Sequence, residues 1–196
     1  MNECNKIADP TPLGNIVTGL VLFTLWPVLF GLADTTAMAA VMPWALAAAP
    51  LILLTSAQAF RAGNVIGAVA NGVLSGVTLV QNGVWGAVVV AYTAAGRTVP
   101  EPIAAVKGLV DGPAFLAAAF MLLCISLSFA RLRNAPMAFF MGVICLGFAC
   151  TGVSDLGFFN LRLPAAVCVM AFAAWMVYSG SAMLMHTALG RKVLPY

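Results

Sequence analysis

Five polar side chains, Asn64, Asn71, Ser75, Thr78 and Asn82, recur through an otherwise apolar stretch, NVIGAVANGVLSGVTLVQN. Amides and hydroxyls of this kind bind by donating and accepting hydrogen bonds; none is a strong acid, base or metal ligand. At about 100° per residue on a helix, all five fall within roughly 60° of one another. The stretch can cross a bilayer, since a rise of about 1.5 Å per residue gives roughly 28 Å. In lipid each unpaired amide costs several kcal/mol, so the stripe must face water, a polar solute or another helix. Helix bridging is the competing reading. Ser, Thr and Asn join membrane helices at about 0.6 kcal/mol per contact, and Gly72 and Gly76 set a small-x-x-x-small face beside the stripe. Five groups on one arc through the membrane's depth favour a path lined by Asn71, Ser75, Thr78 and Asn82.

The chain that positions this stripe is 63% apolar and 8% charged, with 18 glycines in 196 residues, which is a membrane composition. Apolar runs predict six spans at about 13–33, 36–60, 64–92, 113–131, 136–157 and 163–188. The expected architecture is an all-α integral membrane protein, with a short segment at 1–12, six transmembrane helices over 13–188 and a tail at 189–196. The third span exceeds a bilayer's need, so it tilts, bends or projects. The first apolar run is a full span without an A-x-A site, so no cleaved signal peptide is expected. Lys6, Arg61, Arg131, Arg133, Arg191 and Lys192 fall on the side of the two termini. Arg97, Lys107 and Arg162 fall opposite, with Asp34, Glu101, Asp111 and Asp155. That bias places both termini in the cytoplasm of a cell (inner) membrane. The net charge of +3 is then a topology signal, and no nucleic-acid partner is expected. The segment VPEPIAAVKGLVDGP is too short and too charged to span, which predicts an external loop with a short surface helix.

An enzyme needs titratable or nucleophilic groups brought together. The predicted spans hold no Asp, Glu, Lys or Arg away from their ends, and H-E-x-x-H, phosphate-loop and nucleophile-elbow motifs are missing. No catalysis, cofactor or metal is expected. Cys124, Cys145, Cys150 and Cys168 lie in spans and Cys4 on the amino-terminal segment, without a C-x-x-C pair, so they should pack as small hydrophobes. His186, the single histidine, reads as an interfacial side chain, with pH sensing as the sharper alternative. Proton-coupled carriers usually hold an intramembrane carboxylate or histidine relay. Its absence favours a narrow, neutral pore of amides, hydroxyls and apolar side chains. Pro27 and Pro43 should kink spans one and two. Gly142, Gly147, Gly152 and Gly157 recur every five residues, so they wind around span five and should meet several neighbours.

Three short stretches, in order, carry a resemblance. DPTPLG (Asp9, Pro10, Pro12, Leu13 and Gly14) precedes span one, Gly63-Asn64 followed by Gly67 opens span three, and GRKVLP (Gly190, Arg191 and Pro195) ends the chain. With the length and span count, they resemble the acetate uptake transporter (AceTr) family of succinate–acetate permeases. That family opens with Asn-Pro-x-Pro-Leu-Gly and closes with Gly-Arg-x-Ile-Leu-Pro. The resemblance implies a homohexamer of six-helix protomers in membrane lipid, each with its own path for small monocarboxylates. It also implies a path that narrows at residues from spans one, three and five. The first two fall on Thr18 and Leu74, and the third lies between Val143 and Leu146. The departures are specific. Asp9 replaces the leading asparagine, and Thr18 and Leu74 replace a phenylalanine and a tyrosine. Trp26-Pro27-Val28-Leu29 replaces an amide-rich Asn-x-His-Asn segment, Ile52 a glutamine and Met183 a glutamate. Trp26 is the candidate to fill the space left by the lost aromatics.

The leading expectation is a channel or transporter for acetate or a similar small monocarboxylate, with Thr18, Asn71, Leu74, Ser75, Thr78 and Asn82 along its path. The alternatives are a pore for a small neutral solute (urea, a short amide or ammonia) and a non-transporting membrane sensor or scaffold that keeps the fold.

Overall fold

Hydrocarbon offers the backbone no partner but itself, so a chain this apolar is helical wherever it spans. The computed structural model describes residues 9–191 and 193–195, apart from the side chains at 35, 76, 77 and 104. Cys4, Lys6 and Lys192 lie outside the described residues. In chain order the elements are α1 (Thr11–Thr24), α2 (Trp26–Leu29), a 3-10 turn (Thr35–Ala37) and α3 (Met38–Arg61). Then come α4 (Val65–Val73), a π-helical segment (Leu74–Val80), α5 (Gln81–Ala94), α6 (Glu101–Arg131), α7 (Ala135–Asp155) and α8 (Arg162–Leu189). Five helices are long and apolar enough to cross a membrane: α3, the continuous Val65–Ala94, α6, α7 and α8; α1 is a shorter apolar helix.

Two expectations need correction. Span one is not one helix: it turns at Leu25, two residues before Pro27, and α2 adds only four residues. The proline's missing N–H and its ring end α1 there, whereas α3 runs unbroken through Pro43 and Pro50. The segment VPEPIAAVKGLVDGP is not a separate loop helix, because residues from Glu101 onward form the first turns of α6. At about 1.5 Å per residue, α6 is roughly 46 Å long, well beyond a hydrocarbon core of about 30 Å. Its charged first turns therefore lie past the apolar zone without breaking the helix.

The bundle is built from one hairpin used three times. Ser56 Oγ donates to Ala68 O at 2.6 Å, and Ser126 Oγ donates to Ala138 O at the same distance. Ser75 Oγ donates to Ala49 O at 2.9 Å, and the Cys145 thiol to Ala119 O at 3.1 Å. Asn64 caps Gly67 N as Asn134 caps Met137 N. Every position of the second hairpin (α6 with α7) is the first (α3 with α4–α5) plus 70. The turn obeys the same rule, since Gly63 and Arg133 both take positive φ. The third hairpin pairs α8 with α1. There Gly180 and Gly19 stand where the other two carry Ser or Cys. A Cβ on Gly180 would lie 2.9 Å from Pro12 O, and one on Gly19 would lie 2.8 Å from Ala173 O. Two hairpins reach across with a hydroxyl or thiol; the third closes directly, backbone to backbone.

The glycines of span five do meet different neighbours. A Cβ on Gly142 would meet Ser126 on α6, on Gly147 it would meet Cys168 on α8, and on Gly152 it would meet Gly112 O on α6. Gly157 takes positive φ in the turn before α8.

Close approach in the third hairpin gives the first prediction. Gly19→Ala and Gly180→Ala should each destabilise by about 1–3 kcal/mol, because the new methyl meets backbone that cannot yield. Gly72→Ala should lose less, since its sole near neighbour is the Ser56 hydroxyl at 3.3 Å. Thermal unfolding in detergent reads the order; equal losses at the three positions would contradict it.

Candidate functional site

The repeat assigns every residue of α1 a counterpart on Val65–Ala94 and on α7. Thr18, Leu74 and Ile144 stand at equivalent positions, one step before Gly19, Ser75 and Cys145. All three are buried. Ile144, the α7 member of this set, lies within the stretch Val143 to Leu146 that the sequence singled out. Above and below lie two more sets of equivalent, buried residues: Leu22, Thr78 and Phe148, and Asn15, Asn71 and Met141. Leu22, Leu74, Met141, Ile144 and Phe148 belong to one apolar cluster. Trp26, the expected filler, is instead 48% exposed on α2.

The stripe residues have separate fates. Asn64 caps α4, accepting from Gly67 N at 2.9 Å. Ser75 is fully buried and bonds α3, which is the bridging role the sequence set against a path. Thr78 donates to Leu74 O within the π-helical segment, and Asn82 Nδ2 donates to Thr78 O at 2.6 Å. Asn71 is buried and packs against Gly14: a Cβ on that glycine would lie 2.7 Å from Thr55 and 3.4 Å from the Asn71 amide. Of the five, Ser75, Thr78 and Asn82 donate to backbone carbonyls, and Asn64 accepts from a backbone N–H.

Two polar residues were missed. Asn15 Nδ2 donates to the Ser179 hydroxyl at 3.1 Å, both buried, tying α1 to α8. No motif marks them, since they lie on helices at opposite ends of the chain. Thr18 Oγ1, by contrast, is buried without a hydrogen-bond partner. Such a group costs roughly 1–3 kcal/mol.

The opening motif starts α1. Asp9 Oδ1 accepts from Thr11 N at 3.0 Å and Thr11 Oγ1 at 2.6 Å, Pro10 precedes the first turn and Pro12 sits within it. Leu13 faces outward and Gly14 inward against Asn71. At the other end Gly190 caps α8 in a left-handed conformation, Arg191 is exposed, and Pro195 O accepts from the Tyr178 hydroxyl at 2.8 Å. His186 stands in the last turn of α8.

At the end of the bundle opposite the α1 N-terminus lies a cavity of about 520 Å³. Asn82, Trp85 and Thr151 line its walls, and Asp34, Lys107, Asp155 and Arg162 bring charge to it. Lys107 pairs with Asp111 one turn along α6 and lies 5.1 Å from the Trp85 ring centroid. Gln81 Nε2 also donates to Asp111, at 2.7 Å. Asp34 accepts from the hydroxyl and the backbone N–H of Thr36, and these bonds hold its carboxyl below the ordinary range. Of the stripe, Asn82 alone reaches this mouth. Sequence had placed the charges on one side; it could not show that α6, α7, α8 and the connection before α3 bring them to one cavity.

No group of three or more His, Cys, Asp or Glu side chains able to hold a metal occurs among the described residues.

No family model matches the sequence, and comparison with curated proteins gives no match. Among solved structures, the bacterial acetate channel SatP is similar, with a TM-score of 0.69 and 18% identity. The match covers 97% of this chain and 99% of that one. At this identity the likeness establishes the fold: the chain folds as that channel does, over essentially its whole length.

The orphaned hydroxyl yields a prediction with an unusual sign. Thr18→Val keeps the shape and removes the unsatisfied group, so it should stabilise the protein by about 1 kcal/mol. Ser75→Ala should destabilise it by a similar amount, since Ala49 O loses its donor. Thermal unfolding of the two variants decides; a loss at Thr18→Val would mean that its hydroxyl has a partner.

Proposed function

We propose that this chain is a membrane channel or transporter for acetate or a similar small monocarboxylate, which crosses as the neutral acid. One observation carries the reading: the buried polar side chains are Asn, Ser and Thr, with no Asp, Glu, Lys or Arg among the described buried residues. An anion moving past them would lose its hydration with no countercharge, at a cost of several kcal/mol. A carboxylic acid loses far less, and its hydroxyl and carbonyl can exchange hydrogen bonds with groups such as Thr18 Oγ1 and the Asn71 amide. The shared fold with an acetate channel supports the substrate class. In this reading Thr18, Leu74 and Ile144 form the narrowing, and Asn71, Thr78 and Asn82 flank the path, with Ser75 fastening its wall.

The same uncharged column favours, as second reading, a pore for urea, a short amide or ammonia. The positive-inside bias supports cytoplasmic termini, with the cavity opening outward. A homohexamer is the proposed assembly, and the large apolar side chains left exposed on α3, α6 and α7 supply faces for lipid and neighbouring copies.

Uptake of labelled acetate, formate and urea into proteoliposomes tests the reading, with empty liposomes as background. Acetate and formate should enter faster than background and urea should not; urea alone would establish the second reading. Thr18→Phe with Leu74→Tyr should slow a four-carbon acid more than formate, because larger side chains at a narrowing exclude by size. A uniform change in all rates would remove those two residues from the narrowing. Mass measurement in mild detergent should give six copies, and a monomer in native lipid would rule out that assembly.

A further inference from the structure

The cavity at the outer mouth contains a carboxyl group that the proposed path does not use. Lys107 and Asp111 on α6 are committed to each other, and Gln81 on α5 adds a second donor to Asp111. Asp34, in the connection before α3, is held by Thr36. Arg162, at the start of α8, is exposed. Asp155, at the end of α7, is half-buried, lines the cavity and has no ion pair within 4 Å among the described residues. Its charged neighbours are Lys107, Asp111 and Arg162; α5 turns only the uncharged Asn82 and Trp85 into the same space.

Geometry sets Asp155 apart in two ways. It sits at the carboxyl end of α7, where the helix dipole presents its negative pole and opposes a fixed negative charge. Lys107 stands between two carboxylates and is already bonded to one of them. A single cation so placed neutralises one acid and leaves the other to exchange protons with its surroundings. Gly108 keeps α6 tight against this helix end, since a Cβ there would lie 2.9 Å from Asp155 O.

We propose that Asp155 is a proton-exchange group for carboxylates entering the outer mouth, an inference that rests on the neutral-acid reading above. In the entering direction the O–H bond of protonated Asp155 breaks and an O–H bond forms on the solute's carboxylate. The solute moves on as the neutral acid, and Asp155, now a carboxylate, takes its next proton from external water. The reverse transfer serves exit. No other reactant is required. The advantage is one of supply. An aliphatic acid with a pKa near that of Glu, about 4.3, is neutral in only about one molecule in several hundred at pH 7. A proton donor at the mouth converts the abundant anion where it is needed.

The test compares wild type, Asp155→Asn and Asp155→Glu in proteoliposomes at external pH 5 and pH 7, following labelled acetate above the empty-liposome background. Asn keeps the size and polarity of the side chain but cannot exchange a proton. At pH 7 Asp155→Asn should lower uptake about 10-fold. At pH 5, where about one molecule in six already arrives protonated, the loss should shrink to less than 2-fold. Asp155→Glu should keep most of the pH 7 rate. Equal losses of Asp155→Asn at both pH values would make Asp155 a structural residue and overturn the inference. So would a variant that matches wild type throughout. Wild type that passes no acetate at either pH would instead refute the transport reading, and the inference with it.

Discussion

Close approach of paired helices is the constraint on which this bundle depends. Between apolar helices in lipid no hydrophobic force acts, so adhesion comes from packing and from polar groups that reach a neighbour's backbone. Each hairpin solves the problem at the same two levels. Ser56 and Ser126 bond the carbonyls of Ala68 and Ala138, and Ser75 and Cys145 bond those of Ala49 and Ala119. Gly180 and Gly19 let α8 and α1 approach until a Cβ on either would meet the partner's backbone carbonyl. Because the solution is the same three times, residues one step away from these contacts become equivalent around the bundle. That equivalence makes Thr18, Leu74 and Ile144 a set.

The three members of the set are not alike, and the difference is chemical. Leu74 and Ile144 join a continuous apolar cluster, while Thr18 brings a hydroxyl with no partner to the same level. The hairpin that carries Leu74 also holds a π-helical segment, Leu74–Val80, between two regular helices. Such segments concentrate at functional sites, since they depart from the cheapest hydrogen-bond ladder. Here the Thr78 hydroxyl bonds Leu74 O and the Asn82 amide bonds Thr78 O, so side chains supplement a distorted backbone. Stripe residues chosen for their polarity thus support the wall of the bundle as much as they line it.

How much was legible in the sequence follows from the range of each signal. Span existence rests on local chemistry and was readable, whereas Asn64, read as part of the polar stripe, caps α4. Helical continuity across α6 was not readable, because charge near a span's end looks like a loop until the helix is long enough to leave the hydrocarbon. The polar stripe was visible, but 100° periodicity cannot tell a hydroxyl facing water from one facing Ala49 O. Ile144 was out of reach for another reason: nothing in LGFA or GVIC marks it, and its place emerges only when three hairpins are laid over one another. Asn15 and Ser179 are 164 residues apart, and their bond exists only because α8 closes the ring on α1.

These observations divide the molecule's chemistry by depth. The buried layers contain no charge among the described residues, so whatever passes them must carry none or be stripped of its hydration at large cost. Charge is therefore handled at the mouth, where the first turns of α6 bring Lys107 and Asp111 beyond the apolar zone. The cavity is lined by two acids, Asp34 and Asp155, and two bases, Lys107 and Arg162, and on α6 Lys107 is paired with Asp111. Had α6 begun at the membrane surface, those charges would have been dispersed in a loop and screened within a Debye length of about 8 Å. Carried on a rigid helix and held by Trp85 and Gln81, they stay beside the cavity. The long α6 and the uncharged interior thus belong to one division of labour.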